Sequence, residues 1–137
     1  MPLVEWDQSF SVNHNEIDQQ HKRWIEILNQ LHDDLVNGSF DDLNKMTINA
    51  LKSMQEYANN HFEFEEQYLR EIGYPKLVEH HRLHKDFDDN IYRYDNDIRQ
   101  GHTVLNTEII TVLKDWLINH IQGADKDYCK YAASNNA

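Results

Sequence analysis

Histidine is the conspicuous residue type in this chain. Nine occur in 137 residues, and five of them fall at helical spacing among apolar side chains. His61-x-x-x-Glu65 and His80-x-x-x-His84 each set two donor groups one helical turn apart, so both members can reach one point. His21 and His120 are isolated in the chain, yet each is in phase with a stripe of core-forming residues. Taken singly, each has an ordinary explanation, as a hydrogen-bonded core histidine or a surface pair. Taken together they do not. Five imidazoles and a carboxylate converging in one core would all require polar partners there, and a bound metal supplies them at once.

Charge balance at such a site asks for a second carboxylate, and Asp125 is the candidate. It lies five residues after His120, which in a regular helix is about 500° of rotation and therefore well off the same face. Both side chains can reach one site only if the segment Ile121-Gln122-Gly123-Ala124 unwinds or bulges. Seven donors exceed the four of a structural zinc site, which also prefers thiolates. Five nitrogens and two carboxylates suit a pair of borderline divalent ions with carboxylates between them. The ferritin-like di-iron pattern asks for more carboxylates and for two Glu-x-x-His pairs, which this chain lacks.

The elements that must position these groups read as four amphipathic helices. Ile17, His21, Trp24, Ile25, Leu28, Leu31 and Leu35 step by three or four residues, with Asn37-Gly38 as the stop. Ser39, Asp41 and Asp42 offer capping groups for the second helix. Its face carries Leu51, Met54, Tyr57, Ala58, His61, Glu65, Tyr68, Leu69 and Ile72. Gly73-Tyr74-Pro75 closes that helix and opens the third, whose face is Leu77, His80, His84, Phe87, Ile91 and Ile98, with Gly101 as its stop. The fourth reads Leu105, Ile109, Val112, Leu113, Trp116, His120 and Ile121. No window alternates with the period of two that strands need. Four such helices joined by short turns predict an all-α, up-down-up-down antiparallel four-helix bundle. Residues 1–137 then form one domain, with an N-terminal arm over about 1–14 carrying Trp6 and Phe10, and the bundle over about 15–130.

Composition narrows the partners. The formal charge is −11, which disfavours nucleic acid and anionic membranes. No apolar run approaches the roughly 20 residues of a spanning helix. The opening residues Met1 to Asp7 lack the pattern of a secretory signal, and the single Cys129 cannot form an intrachain disulfide. A cytoplasmic protein is the expectation.

Four segments resemble the hemerythrin signature: Ile17-Asp18-Gln19-Gln20-His21; His61-Phe62-Glu63-Phe64-Glu65-Glu66; Tyr74-Pro75 followed by His80-x-x-x-His84; and Trp116-Leu117-Ile118-Asn119-His120-Ile121-x-x-x-Asp125. The resemblance runs from about residue 5 to residue 130, with all seven ligand positions in order, and the length is similar to that of the single-domain bacteriohemerythrins. It implies two non-haem iron ions with an oxo or hydroxo bridge. His80, His84 and His120 would hold one iron, His21 and His61 the other, and Glu65 and Asp125 would bridge them. It further implies dioxygen binding at the open position of the two-histidine iron, for oxygen storage, delivery or buffering. The chain would then be a binding protein, not an enzyme. Sensing or detoxification of oxygen or nitric oxide at the same site is the alternative. Reversible binding demands a dry pocket. Trp24, Phe62, Trp116, Leu117 and Ile121 are candidates for its wall; Leu117 and Trp116 are the pocket residues expected, Leu117 from its place in the family motif.

The run His80-His81-x-x-His84 allows two registers, since either spacing can converge on one metal. Leu77, Phe87 and Ile91 are in phase with His80 and His84, and His81 points about 100° away, towards polar surroundings. Periodicity and the resemblance both select His80. His14, His32, His81 and His102 stay outside the pattern, and the sequence names no acceptor for the outer nitrogens of the five ligand candidates.

Overall fold

A computed structural model of the chain describes residues 3–37 and 40–135, with side chains except at 40–44 and 135. The helices are α1 (Asn15–Asn37), α2 (Phe40–Glu71), α3 (Leu77–Arg99), α4 (Thr107–His120) and α5 (Lys126–Asn135). A five-residue π-helical turn, Ile121–Asp125, joins α4 to α5 without a break, so the chain makes four rods. The architecture is the expected all-α bundle, and no strand occurs among the described residues. The expected stop at Gly38 and cap at Ser39 lie outside the described residues, as do the side chains of Asp41 and Asp42.

Local chemistry sets the ends. His14 Nδ1 accepts from the Ile17 amide at 3.3 Å, and Glu16 and Asp18 sit in the first turn of α1, where the helix dipole favours negative charge. Asn106 caps α4 by accepting from the Ile109 amide at 3.0 Å. The turns after α2 and α3 use left-handed backbone at Gly73 (φ 68°) and Gly101 (φ 75°). The next amides, of Tyr74 and His102, reach back to the carbonyls of Leu69 and Asp97 at 2.9 Å, closing each helix end.

Two sequence expectations for the fourth helix need correction. Leu105 is buried but precedes the helix, which begins at Thr107. Val112 is exposed, because the buried stripe runs through Ile109, Ile110, Leu113, Leu117, His120 and Ile121, and Val112 lies about 100° to the side of Leu113. The remaining stripes are in phase as read, with Leu35, Tyr57, Tyr68, Ile72 and Leu77 only half-buried.

The N-terminal arm lies on the bundle. Asn29 of α1 receives the Val4 amide on Oδ1 and donates Nδ2 to the Val4 carbonyl, both at 2.9 Å. Val4 and Phe10 are buried, Trp6 packs tilted on Phe10, and the Lys22 ammonium sits 5.0 Å from the Trp6 ring. Asp18 ties down the arm's end, taking the Ser11 hydroxyl at 2.6 Å and the Val12 amide at 2.9 Å.

Apolar packing is in two parts. A large cluster gathers Trp24, Leu28, Leu31, Leu51, Met54, Ala58, Phe62, Phe87, Ile91, Leu113 and Leu117, among others. A smaller one gathers Val12, Ile17, Leu69, Tyr74 and Tyr128. Along every rod candidate ligands fall where one cluster gives way to the other: His21 between Ile17 and Trp24, Glu65 between Phe62 and Leu69, His80 and His84 between Tyr74 and Phe87, Asp125 between Ile121 and Tyr128, with His61 and His120 flanked by the large cluster. A polar layer thus crosses the bundle, sealed on both sides by hydrocarbon.

Candidate metal centre

All seven residues singled out in the sequence meet in that layer, and none is more than 7% exposed. The π turn brings His120 and Asp125 together. Its i→i+5 hydrogen bonding widens one turn, which carries residues five apart onto one face. His120 Nε2 accordingly lies 3.1 Å from Asp125 Oδ1. The bulge expected over Ile121-Gln122-Gly123-Ala124 is present.

The two carboxylates divide their oxygens between two groups of imidazoles. Glu65 Oε1 faces His80, His84 and His120, with Nε2 distances of 2.6, 3.1 and 4.0 Å. Its Oε2 faces His61 and His21, at 3.2 and 3.7 Å. Asp125 repeats the division: Oδ1 is 3.1 Å from both His80 and His120, and Oδ2 is 3.2 Å from His21. Donor atoms of Glu65, His80, His84 and His120 all lie within 4.8 Å of one another, as do those of His21, His61 and Glu65.

Several of these atoms have no hydrogen-bond partner: both nitrogens of His21, Nε2 of His61 and both oxygens of Asp125. Buried polar atoms left unpaired require an explanation. Here His21 Nε2 lies beside Glu65 Oε2 and Asp125 Oδ2, His61 Nε2 lies beside Glu65 Oε2, and His84 Nε2 and His120 Nε2 face each other at 3.2 Å. Nitrogens and carboxylate oxygens so arranged fit cations held between them.

Electrostatics agree. In the metal-free chain, burial disfavours a charged His21, His80 or His120, but the nearby carboxylates of Asp125 and Glu65 outweigh it and raise each to about 9. For His61 burial dominates and the pKa is lowered. Burial pushes Glu65 and Asp125 upward, yet the surrounding imidazoles hold both well below the usual carboxylate range. The layer therefore gathers positive charge in the form of protons, which cations would replace.

Sequence reasoning left the surrounding partners unnamed, and the fold supplies them. Gln20 Oε1 is 2.6 Å from His61 Nδ1, and Glu66 Oε2 is 2.9 Å from His84 Nδ1. The fully buried Tyr128 donates its hydroxyl to Glu65 Oε2 at 3.1 Å. Tyr128 could have been found, since it follows Asp125 by three residues and shares its face; Gln20 and Glu66 carry no such signal. His81 is exposed, with Nδ1 2.6 Å from Glu66 Oε1, in the polar surroundings expected of it. His32 is half-buried and His102 exposed, neither among the seven. Cys129 has a weak contact from Asn13, 3.6 Å to Sγ.

Aromatic rings wall the layer. Phe62 stacks on His84 with centroids 3.9 Å apart, and Trp116 on His120 at 4.4 Å. Trp24 meets His61 edge-on at 5.7 Å. Leu117 and Ile121 are buried beside His120 in the same chain, while Trp116 is half-buried.

A four-helix bundle with a buried histidine and carboxylate layer has the donor set of a cation-binding bundle protein. The family model that matches residues 12–132 is described as the hemerythrin HHE cation binding domain. A bacteriohemerythrin of Stenotrophomonas maltophilia is 33% identical over 129 residues, covering 93% of this chain and 80% of that one. A hemerythrin-like protein of Naegleria gruberi is 28% identical over 123 residues, covering 90% and 88%. Among solved structures, a wild-type hemerythrin crystal structure superposes with a TM-score of 0.84 at 26% identity, covering 93% of this chain and 96% of the other. This chain belongs to the hemerythrin family, whose members bind oxygen at a di-iron site.

Proposed function

We propose that the chain binds dioxygen reversibly at a non-haem di-iron centre, as a single cytoplasmic domain acting in oxygen storage, delivery or buffering. One observation carries this reading: both buried carboxylates split their oxygens between a group of three imidazoles and a group of two. His80, His84 and His120 would hold one iron and His21 and His61 the other, with Glu65 and Asp125 shared between them; an oxo or hydroxo group would complete the cofactor. When bound, the pair of irons would supply the electrons that dioxygen takes up.

The chain's own residues do the rest. The imidazoles present neutral nitrogens once their protons are displaced. Gln20 and Glu66 fix the ring orientations of His61 and His84. The Tyr128 hydroxyl holds Glu65 Oε2 and limits its rotation. Trp24, Phe62, Leu117 and Ile121 keep water from the layer, which favours release of dioxygen intact over its reduced products. Among the described residues no helix is long and apolar enough to cross a membrane, and the lone Cys129 supports a reducing compartment.

Metal analysis joined to optical spectroscopy, first under nitrogen and then in air, tests the reading. The expected result is two irons per chain, one for each imidazole group, with charge-transfer absorption that appears on oxygenation and fades on deoxygenation. Iron near one per chain, or zinc retained through purification from iron-rich medium, refutes it.

A further inference from the structure

The two halves of the centre are backed by different chemistry. On the three-histidine side, His84 turns Nε2 to the centre and Nδ1 outward to Glu66 Oε2 at 2.9 Å. The other oxygen of Glu66 lies 2.6 Å from Nδ1 of His81, whose side chain is 62% exposed. On the two-histidine side, His61 Nδ1 meets the neutral amide oxygen of Gln20 at 2.6 Å. Among the described residues, Glu66 is the carboxylate that backs a candidate ligand from outside the centre. Adjacent positions on α2 make this possible. Glu65 and Glu66 differ by about 100° around the helix, so one reaches into the layer and the other crosses to the outer edge of α3.

We propose that Glu66 is a positioning residue for His84, clamped by His81, and that its charge makes the three-histidine half the tighter of the two cation subsites. The proposal rests on the two-ion reading above. A carboxylate accepting from Nδ1–H fixes the tautomer that leaves the Nε2 lone pair facing the cation, and it raises the basicity of the ring. An amide oxygen fixes the tautomer but contributes no charge. Glu66 is 8% exposed, so its charge is only partly screened by water. The competing role is a plain tie between α2 and α3, which would affect stability and leave the two subsites unchanged relative to each other.

Anaerobic calorimetric titration of the metal-free protein with cobalt(II), followed also by visible absorption, separates these roles without any use of oxygen. The wild type is expected to take up two cobalt ions in two resolved steps, matching the two donor groups. Glu66→Gln, which keeps the shape and removes the charge, is expected to weaken the tighter step about 10–100-fold and leave the weaker step in place. His81→Ala, at an exposed position that folding tolerates, should weaken the same step by a smaller factor. A Glu66→Gln protein with both steps unchanged, or with both weakened alike, overturns the proposal. So does loss confined to the weaker step. Should Glu66→Gln fail to fold, His81→Ala decides, and two unaltered steps in that variant overturn the clamp. Fewer than two cobalt ions in the wild type instead overturns the two-ion reading itself.

Discussion

His80 and His81 are neighbours with opposite environments, and truncating each in turn tests the register of α3. The His80 side chain is 2% exposed, with Nε2 2.6 Å from Glu65 Oε1 and 3.1 Å from Asp125 Oδ1. In the metal-free chain its pKa of about 9 makes it a positive partner to both carboxylates at neutral pH. His80→Ala leaves two buried carboxylates with one partner fewer. Breaking a buried pair in this way costs about 3–5 kcal/mol. For a domain of this length that corresponds to a fall of roughly 10–20 °C in Tm. The same truncation removes a nitrogen donor from the three-histidine group, so iron content should fall well below that of the wild type. His81 is 62% exposed and, among the described residues, pairs with Glu66. Exposed pairs contribute about 0–1 kcal/mol, so His81→Ala should lower Tm by no more than about 5 °C and retain full iron when iron is supplied in excess. Calorimetric melting of the metal-free proteins and iron analysis after anaerobic reconstitution measure both quantities. An iron-deficient, strongly destabilised His81→Ala beside a tolerated His80→Ala would refute the register, and with it the assignment of ligands on α3.

The metal-free protein should also lose stability in alkali. His21, His80 and His120 are raised from 6.5 to about 9 in the folded chain. Their stabilisation is therefore fully present below about pH 6.5 and disappears as pH climbs through 9, whereas that of Glu65 and Asp125, both lowered, is present above about pH 4 and disappears in acid. Urea midpoints should drop between pH 6.5 and 9 for the metal-free protein and far less for the iron-loaded one, which has the same surface; parallel curves would show that these imidazoles carry no protons. Leu117→Asn places a polar group at a site that is 1% exposed and is expected to admit water. The absorption of the oxygenated protein should then decay faster while both irons stay bound, and an unchanged decay rate would remove Leu117 from the pocket.

The sequence alone determined the helices and the polar residues that meet between them, because both are written in local periodicity. An amphipathic helix needs only the recurrence of apolar residues at three and four, and His61, Glu65, His80, His84 and His120 are polar residues that keep that recurrence. It also determined that the helix after His120 must depart from α geometry for Asp125 to serve, since about 500° of rotation cannot be hidden. Tertiary structure decided the rest. How each carboxylate divides its oxygens between His21 and His61 on one side and His80, His84 and His120 on the other depends on the relative heights of four rods, which no single helix encodes. Whether Val112 or Ile110 faces inward depends on how α4 is rotated against its neighbours. The partners Gln20 and Glu66 are set by side chains that cross between helices and lie 41 and 18 residues from their histidines in the chain, and such contacts have no period to betray them. Periodicity names which face is buried; only packing names what that face meets.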